Sequence, residues 1–230
     1  MKLRCTRHGS HALTSMELLV VIAVIVVIML LLPLIGARHH YSNRLSCVNN
    51  LKQINLAYRV WSGDNNDKYP MDVSVTNGGA MELAATGNVL NVFLLMSNEL
   101  ATPKVLYCPS DEEHACATQF DATFSVSNIS YFVGIDATEY NPQMILSGDD
   151  HLQLNGIPVK SGLSTFATNS DLGWTSSRHV PVKEHFWMPA PNEHNGNIGL
   201  ADGSAQQLTS AGLQHALQQT GTNFTRLAIP

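Results

Sequence analysis

The placement of one acid constrains this chain more than any other feature. Glu17 lies directly before an uncharged apolar run, Leu18 to Ile35, and after a short basic stretch with Lys2, Arg4 and Arg7 and no acid. As a helix, the run would span about 27 Å, close to the roughly 30 Å hydrocarbon core of a bilayer. A carboxylate at a bilayer centre costs roughly 2.5–3.5 kcal/mol on insertion scales, so an acid at the edge of such a segment calls for a partner.

Two plainer readings compete. A cleaved secretory signal has an apolar region of about 7–15 residues, a small-x-small cleavage site and no acid at its start. Here the run is longer, and its exit, Pro33-Leu34-Ile35-Gly36-Ala37, matches such a site poorly. A plain membrane anchor explains the length and the basic leader but leaves Glu17 without a role.

The segment resembles the class III (prepilin-type) signal of type IV pilins and type II secretion pseudopilins. In that family a basic leader ends in Gly and an apolar residue follows, with Glu as the fifth residue of the mature chain ahead of an apolar helix. Ala12 takes the Gly place here, Leu13 would be the new N-terminus, Thr14-Ser15-Met16 follow, and Glu17 falls fifth. Ala for Gly and the polar Ser15 are departures. Pro33 resembles the helix-bending proline of pilins.

The resemblance implies a mechanism. Prepilin peptidase cuts after Ala12 on the cytoplasmic side and N-methylates Leu13. Glu17 of one subunit then neutralises the terminal amine of its neighbour within the filament. Such a buried pair adds little net stability, because desolvation offsets attraction, but it fixes register. The implied partners are copies of the chain, other pilins, the peptidase, an inner-membrane assembly platform and membrane lipid.

The remaining sequence suits an exported domain. Loss of the leader would remove three of 13 basic residues and none of 18 acids, taking the net charge from −5 to −8. A chain so acidic lacks the basic face that nucleic acid requires. Basic residues ahead of the run place the N-terminus in the cytoplasm and the C-terminal domain outside, as a single-pass protein of a bacterial inner membrane. The expected organisation is a cleaved leader (1–12), a long helix (13–62, its transmembrane half about 18–35) and an extracytoplasmic domain (63–230).

Periodicity extends the helix beyond the membrane. Cys47, Leu51, Ile54, Tyr58 and Trp61 form a heptad stripe, with Asn49, Asn50, Lys52, Gln53 and Arg59 on the other face. Gly63 is a natural stop before a polar loop. A helix from about Thr14 to Ser62 is therefore expected, bent near Pro33.

Three further motifs resemble prepilin-type proteins common in planctomycetes and verrucomicrobia. They are Ser46–Ile54 (SCVNNLKQI), Tyr107–Asp111 (YCPSD) and His194-Asn195-Gly196 through Ala201-Asp202-Gly203. In the last, the His-to-Asp spacing is shorter than in the commoner version.

Beyond residue 63 short strands are expected at Val105–Tyr107, Thr123–Ser127, Ser130–Ile135, Met144–Leu146 and 185–188. A hairpin is expected over Asn197–Leu208, with Asp202-Gly203 in a type I′ turn. Helices are expected at Val89–Leu100 and, capped by Ser210, in a short stretch with Leu213, Ala216 and Leu217 on one face that ends near Gly221. Thr76–Asn88, Ala137–Asn141 and Thr168–Ser177 read as loops. The fold class is α+β: a long N-terminal helix packed on a small antiparallel sheet, pilin-like.

Cys5 lies in the leader. Cys47, Cys108 and Cys116 remain in an oxidising compartment, enough for one disulfide and one free thiol. The resemblance favours Cys47–Cys108; a local Cys108–Cys116 loop is the alternative. Zinc on Cys108, Cys116 and His114 lacks paired ligand spacing. Type II pseudopilins often hold calcium in a C-terminal loop; Asp149, Asp150 and Asp202 are the candidate acids for such an ion here, without a residue-by-residue match.

Candidate acids and bases are Asp149, Asp150, His151, His179, His185, His194 and Asp202. No nucleophile elbow, His-Glu-x-x-His or phosphate loop accompanies them, so no enzyme is expected. Asp202 fits the hairpin turn, His194 a structural role, and Asp149-Asp150-His151 a solvated loop. Two functions follow: a structural filament subunit, or a membrane-anchored extracytoplasmic binding protein or enzyme that keeps its leader and works without residues 1–62.

Overall fold

The computed structural model describes residues 14–175, 178–179 and 194–230, without the side chains of 30–42 and 44. Ala12, Leu13, His185 and the strand expected at 185–188 lie outside these residues. Two compact units divide the chain, Met1–His39 and His40–Pro230. Helix α1 runs from Ser15 to Gly63. In its first part Met16, Leu18–Ile22 and Val24–Met29 are exposed. Among the described residues no helix is long and apolar enough to cross a membrane; the last third of the Leu18–Ile35 run has no described side chains.

Within the second unit the outer part of α1 belongs to the domain core. Cys47, Leu51, Ile54, Tyr58 and Trp61 are buried, and so is Asn55. Asn50, expected on the solvent face, donates to the Tyr107 carbonyl at 2.8 Å.

A mixed α+β fold follows. Strands β1 (Tyr131–Gly134), β2 (Ile145–Asp149), β5 (Gly162–Ala167), β7 (Asn195–Leu200), β8 (Ala205–Thr209) and β9 (Phe224–Ile229) form one antiparallel sheet in the order β5-β9-β1-β2-β7-β8. A smaller sheet joins β4 (Ile157–Pro158), β3 (Leu152–Leu154) and β6 (Leu172–Trp174). Side chains of successive strand residues leave opposite faces. Thus Tyr131 and Val133 join the core that α1 closes, while Phe132 joins the second core with Leu213 and Leu217 of α5 (Ser210–Gln219). Both faces being covered, β1 and β2 are buried throughout.

Several expectations are corrected. Val105–Tyr107 is not a strand: Val105 and Leu106 belong to a 3-10 turn, Pro103–Leu106, which Tyr107 ends. Thr102 caps that turn through Lys104 N at 3.4 Å, and Pro103 presets its first dihedral. Thr123–Ser127 is held by local bonds instead of a ladder: Asp121 takes the Thr123 N–H at 2.8 Å, and Asn128 takes the Ser125 N–H at 2.9 Å. The 89–100 helix divides at Met96 into α3 (Val89–Leu95) and α4 (Ser97–Leu100). The Thr76–Asn88 loop contains α2 (Met81–Ala84), and the Thr168–Ser177 loop contains β6.

The hairpin forms with a different turn. Gly203 N donates to Leu200 O at 3.0 Å and Leu200 N to Ser204 O at 2.9 Å, leaving Ala201-Asp202-Gly203 as the loop. Only Gly203 takes a positive φ, +90°, so this is a three-residue loop and not type I′. Helix α5 is capped by Thr209, whose Oγ1 accepts from Gly212 N at 3.2 Å. The Ser210 hydroxyl instead accepts from Trp174 N at 3.0 Å.

Candidate functional site

The start of β1, the end of β2 and the start of β7 meet at one end of the large sheet, where Tyr131 pairs with Asp149 and Gly148 with Ile198. Here the first two resemblance motifs and the start of the third converge. Cys47 of α1 and Cys108 are joined by a disulfide, and Asp111 and Asn195–Asn197 lie in the surrounding network. Cys116 is a free, exposed thiol. Cys108 being bonded to Cys47, neither the Cys108–Cys116 loop nor the zinc set of Cys108, Cys116 and His114 is formed.

Asp149-Asp150-His151 is not a solvated loop. Asp149 is fully buried and His151 nearly so. Asp149 ends a strand that is buried on both faces, and the segment's polar groups are answered from within the fold. Asp149 Oδ2 accepts from Asn197 N at 2.7 Å and from Asn197 Nδ2 at 2.9 Å. His179 Nε2 lies 3.1 Å from the same oxygen and 3.7 Å from Cys108 Sγ. His179 takes a left-handed φ of 52°, rare for a residue with a Cβ.

Arg178 is the cation of the cluster. Its Nη2 lies 2.8 Å from Asp111 Oδ2, its Nη1 contacts Asp150 Oδ1, and Nη1 also donates to Ser130 O at 3.3 Å. His114 Nδ1 lies 2.8 Å from Asp111 Oδ2, and Nε2 lies 3.7 Å from Asp150 Oδ2. Burial pushes Asp111 up, but the His114 hydrogen bond and the Arg178 charge outweigh it and hold the carboxyl well below its ordinary range. For Asp150 burial wins over Arg178 and His114, raising it to about 6. The bond to Asp111 raises His114.

His151 is set apart by its tautomer. Its Nε2 lies 3.2 Å from the Asn195 carbonyl, which can only accept, so Nε2 carries the proton and Nδ1 a free lone pair. Burial lowers the ring to about 4, keeping it neutral. It stacks on Trp174 at 5.1 Å. The Trp174 indole explains the glycine of the third motif: a Cβ on Gly196 would meet the ring at 2.4 Å.

Several buried polar atoms here have no partner among the described residues: Asp149 Oδ1, His151 Nδ1, His179 Nδ1, Asn197 Oδ1, Trp174 Nε1 and Arg178 Nε. Beside them opens a cleft of about 410 Å³, with Glu113, His114, Asp150 and His151 on its polar side and Leu152 and Val159 among its apolar residues. Two groups have metal-ligand proximity, with donor atoms within 4.8 Å: Asp111, His114 and Asp150; and Cys47, Cys108 and His179. The Arg178 guanidinium engages both carboxylates of the first. The calcium set is not assembled. Asp202 sits in the hairpin beyond the other end of β2, where its N–H meets Pro142 O at 3.3 Å and its Oδ1 takes the Ser204 N–H at 2.8 Å. His194, partly exposed, directly precedes β7.

Sequence reasoning missed Arg178, Asn195, Asn197 and Asn55. Asp111 and His114 stood at helical i, i+3 spacing beside a cysteine motif, a signal that was legible. No family model, curated protein or solved structure matches the chain.

Proposed function

We propose that the chain is a structural subunit of a type II secretion or type IV pilus filament. On this reading prepilin peptidase cuts after Ala12 and methylates Leu13. Residues 18–35 span the inner membrane before the subunit enters a filament of its own copies and related pilins. The observation that carries the reading is the row of exposed apolar residues beside Glu17 at the start of α1: Met16, Leu18–Ile22 and Val24–Met29.

The carboxylate fits its proposed role. Glu17 Oε2 accepts from Thr14 N at 2.7 Å and Thr14 Oγ1 at 3.0 Å, so it faces the start of its own helix. In the filament the methylated amine of a neighbouring Leu13 would take the place of those donors. The mass of the N-terminal peptide from host membranes tests the reading. N-methylated Leu13 is expected; an intact Met1 leader or a cut near Ala37 rejects it. Glu17→Ala should then block assembly while leaving cleavage intact.

The cleft favours a second reading, a membrane-anchored extracytoplasmic binding protein or enzyme. His151 and Asp150 line its wall beside an apolar surface. This reading predicts an uncleaved leader and a ligand-binding domain that survives deletion of residues 1–39. Deletion to residue 62 would test something else, because it removes Cys47 and the buried stripe.

A further inference from the structure

The Cys47–Cys108 bridge is buried among groups that a disulfide does not use. Cys47 Sγ, Cys108 Sγ and His179 Nε2 lie within 4.8 Å of one another, and Asp149 Oδ2 lies 3.1 Å from the same imidazole nitrogen. Three donors of two kinds, from α1, the Cys108 loop and residue 179, point to one small volume. We infer that in its dithiol form this cluster is a three-ligand site, built of two thiolates and one imidazole, for zinc or another thiophilic divalent metal whose fourth position water fills.

The spacing supports the inference. Zinc bonds of about 2.3 Å to sulfur and about 2.0–2.1 Å to nitrogen give tetrahedral edges of about 3.6 Å for S···N. The observed edge is 3.7 Å from Cys108 Sγ to His179 Nε2. The two sulfurs must part, from bonding distance to about 3.8 Å. The left-handed backbone of His179 holds its ring against the sulfur at a local energetic cost, as strained residues at ligand sites do.

The two states are alternatives. Metal binding to the dithiol releases two protons to solvent. A protein or small-molecule disulfide then oxidises the loaded site. The Cys47–Cys108 bond forms, two electrons from the thiolates and two protons from water reduce the oxidant to thiols, and the metal leaves. In both states α1 is tied to the sheet, so the domain would hold one arrangement in reducing and oxidising surroundings. The inference does not depend on the filament reading.

Cobalt(II) titration of the full-length chain in detergent tests it, with Cys5→Ser and Cys116→Ser removing the other thiols. After phosphine reduction, one equivalent of cobalt should give thiolate charge-transfer bands and intense tetrahedral bands, which zinc abolishes. The disulfide form should give neither. His179→Ala should weaken affinity by about tenfold or more. An octahedral spectrum, no saturable binding, or unchanged affinity in folded His179→Ala overturns the inference. Should that variant not fold, the spectrum of the reduced parent chain decides.

Discussion

Gly199 of β7 lies directly against Asn55 of α1: a Cβ on the glycine would sit 2.2 Å from Asn55 Nδ2. The contact lets a fully buried amide reach its partners. Asn55 Nδ2 donates to Ser204 O at 3.0 Å, and its Oδ1 accepts from Ser147 Oγ at 2.7 Å. One side chain thereby links α1 to β2 and to the β7–β8 hairpin. Gly199→Ala should destabilise the domain by about 1–3 kcal/mol through overpacking. Urea unfolding checks this, with Gly63→Ala as the control, since nothing lies within 4 Å of a Cβ there; equal midpoints for the two variants would refute the packing account.

Asn55→Ala removes the amide and leaves the Ser147 hydroxyl and the Leu200 and Ser204 carbonyls without it. The expected cost is about 1–3 kcal/mol per buried group left unsatisfied. Asn55→Ala/Ser147→Ala should recover part of that loss, because the stranded hydroxyl is then gone. A double-mutant cycle with no coupling would show that the bond between them contributes nothing.

Arg178 is the counter-charge for two buried carboxylates. Its side chain is 1% exposed, against 0% for Asp111 and 8% for Asp150. Arg178→Met should cost about 3–5 kcal/mol at neutral pH, since it strands buried charge. Adding Asp150→Asn should restore much of the loss. The folded-state titration of Asp150, already raised to about 6 by burial, should move higher still in Arg178→Met. Carbonyl-region NMR of the carboxyl would detect the move.

The heptad stripe of α1 was legible because burial alone decides a helix face, and β1, the start of β2 and the β7–β8 hairpin were found from short apolar segments and Asp-Gly, whereas the polar–apolar alternation of Thr123–Ser127 marked no strand. The buried site was hidden by a composition rule. Asp149-Asp150-His151 reads as solvated because three ionisable residues in a row seldom enter a core. They do so here because Arg178, Asn197 and Asn195 O answer them from distant positions, and no local pattern encodes such pairing. Strand β6 was lost for a related reason: its three residues, Leu172–Trp174, sit in a polar stretch. Val105–Tyr107 failed the other way, since a Thr-Pro turn overrode its β-propensity.

His114 makes stability pH-dependent in a defined direction. Its hydrogen bond to Asp111 raises its folded-state pKa above the ordinary 6.5, against burial and Arg178 and with help from Asp150. A group raised in the fold stabilises it fully below the unfolded value and loses that contribution as pH rises through the folded one. The margin of the parent chain over His114→Gln should therefore be largest below pH 6.5 and shrink above it. Thermal melts of both proteins across this range test the sign.

The disulfide closes a loop with a sequence separation of 61. Chain-entropy reasoning assigns such a loop about 4 kcal/mol. The double substitution Cys47→Ser/Cys108→Ser should lower stability by roughly that amount, and α1 should be the element that loosens. Amide exchange of residues 47–61 should accelerate before that of β1 and β2, because the sheet keeps its own ladder and the α5-side core. If exchange instead rose uniformly through helix and sheet, the bridge would be stabilising the domain as one cooperative unit, and the account of α1 as a separately tethered element would be wrong.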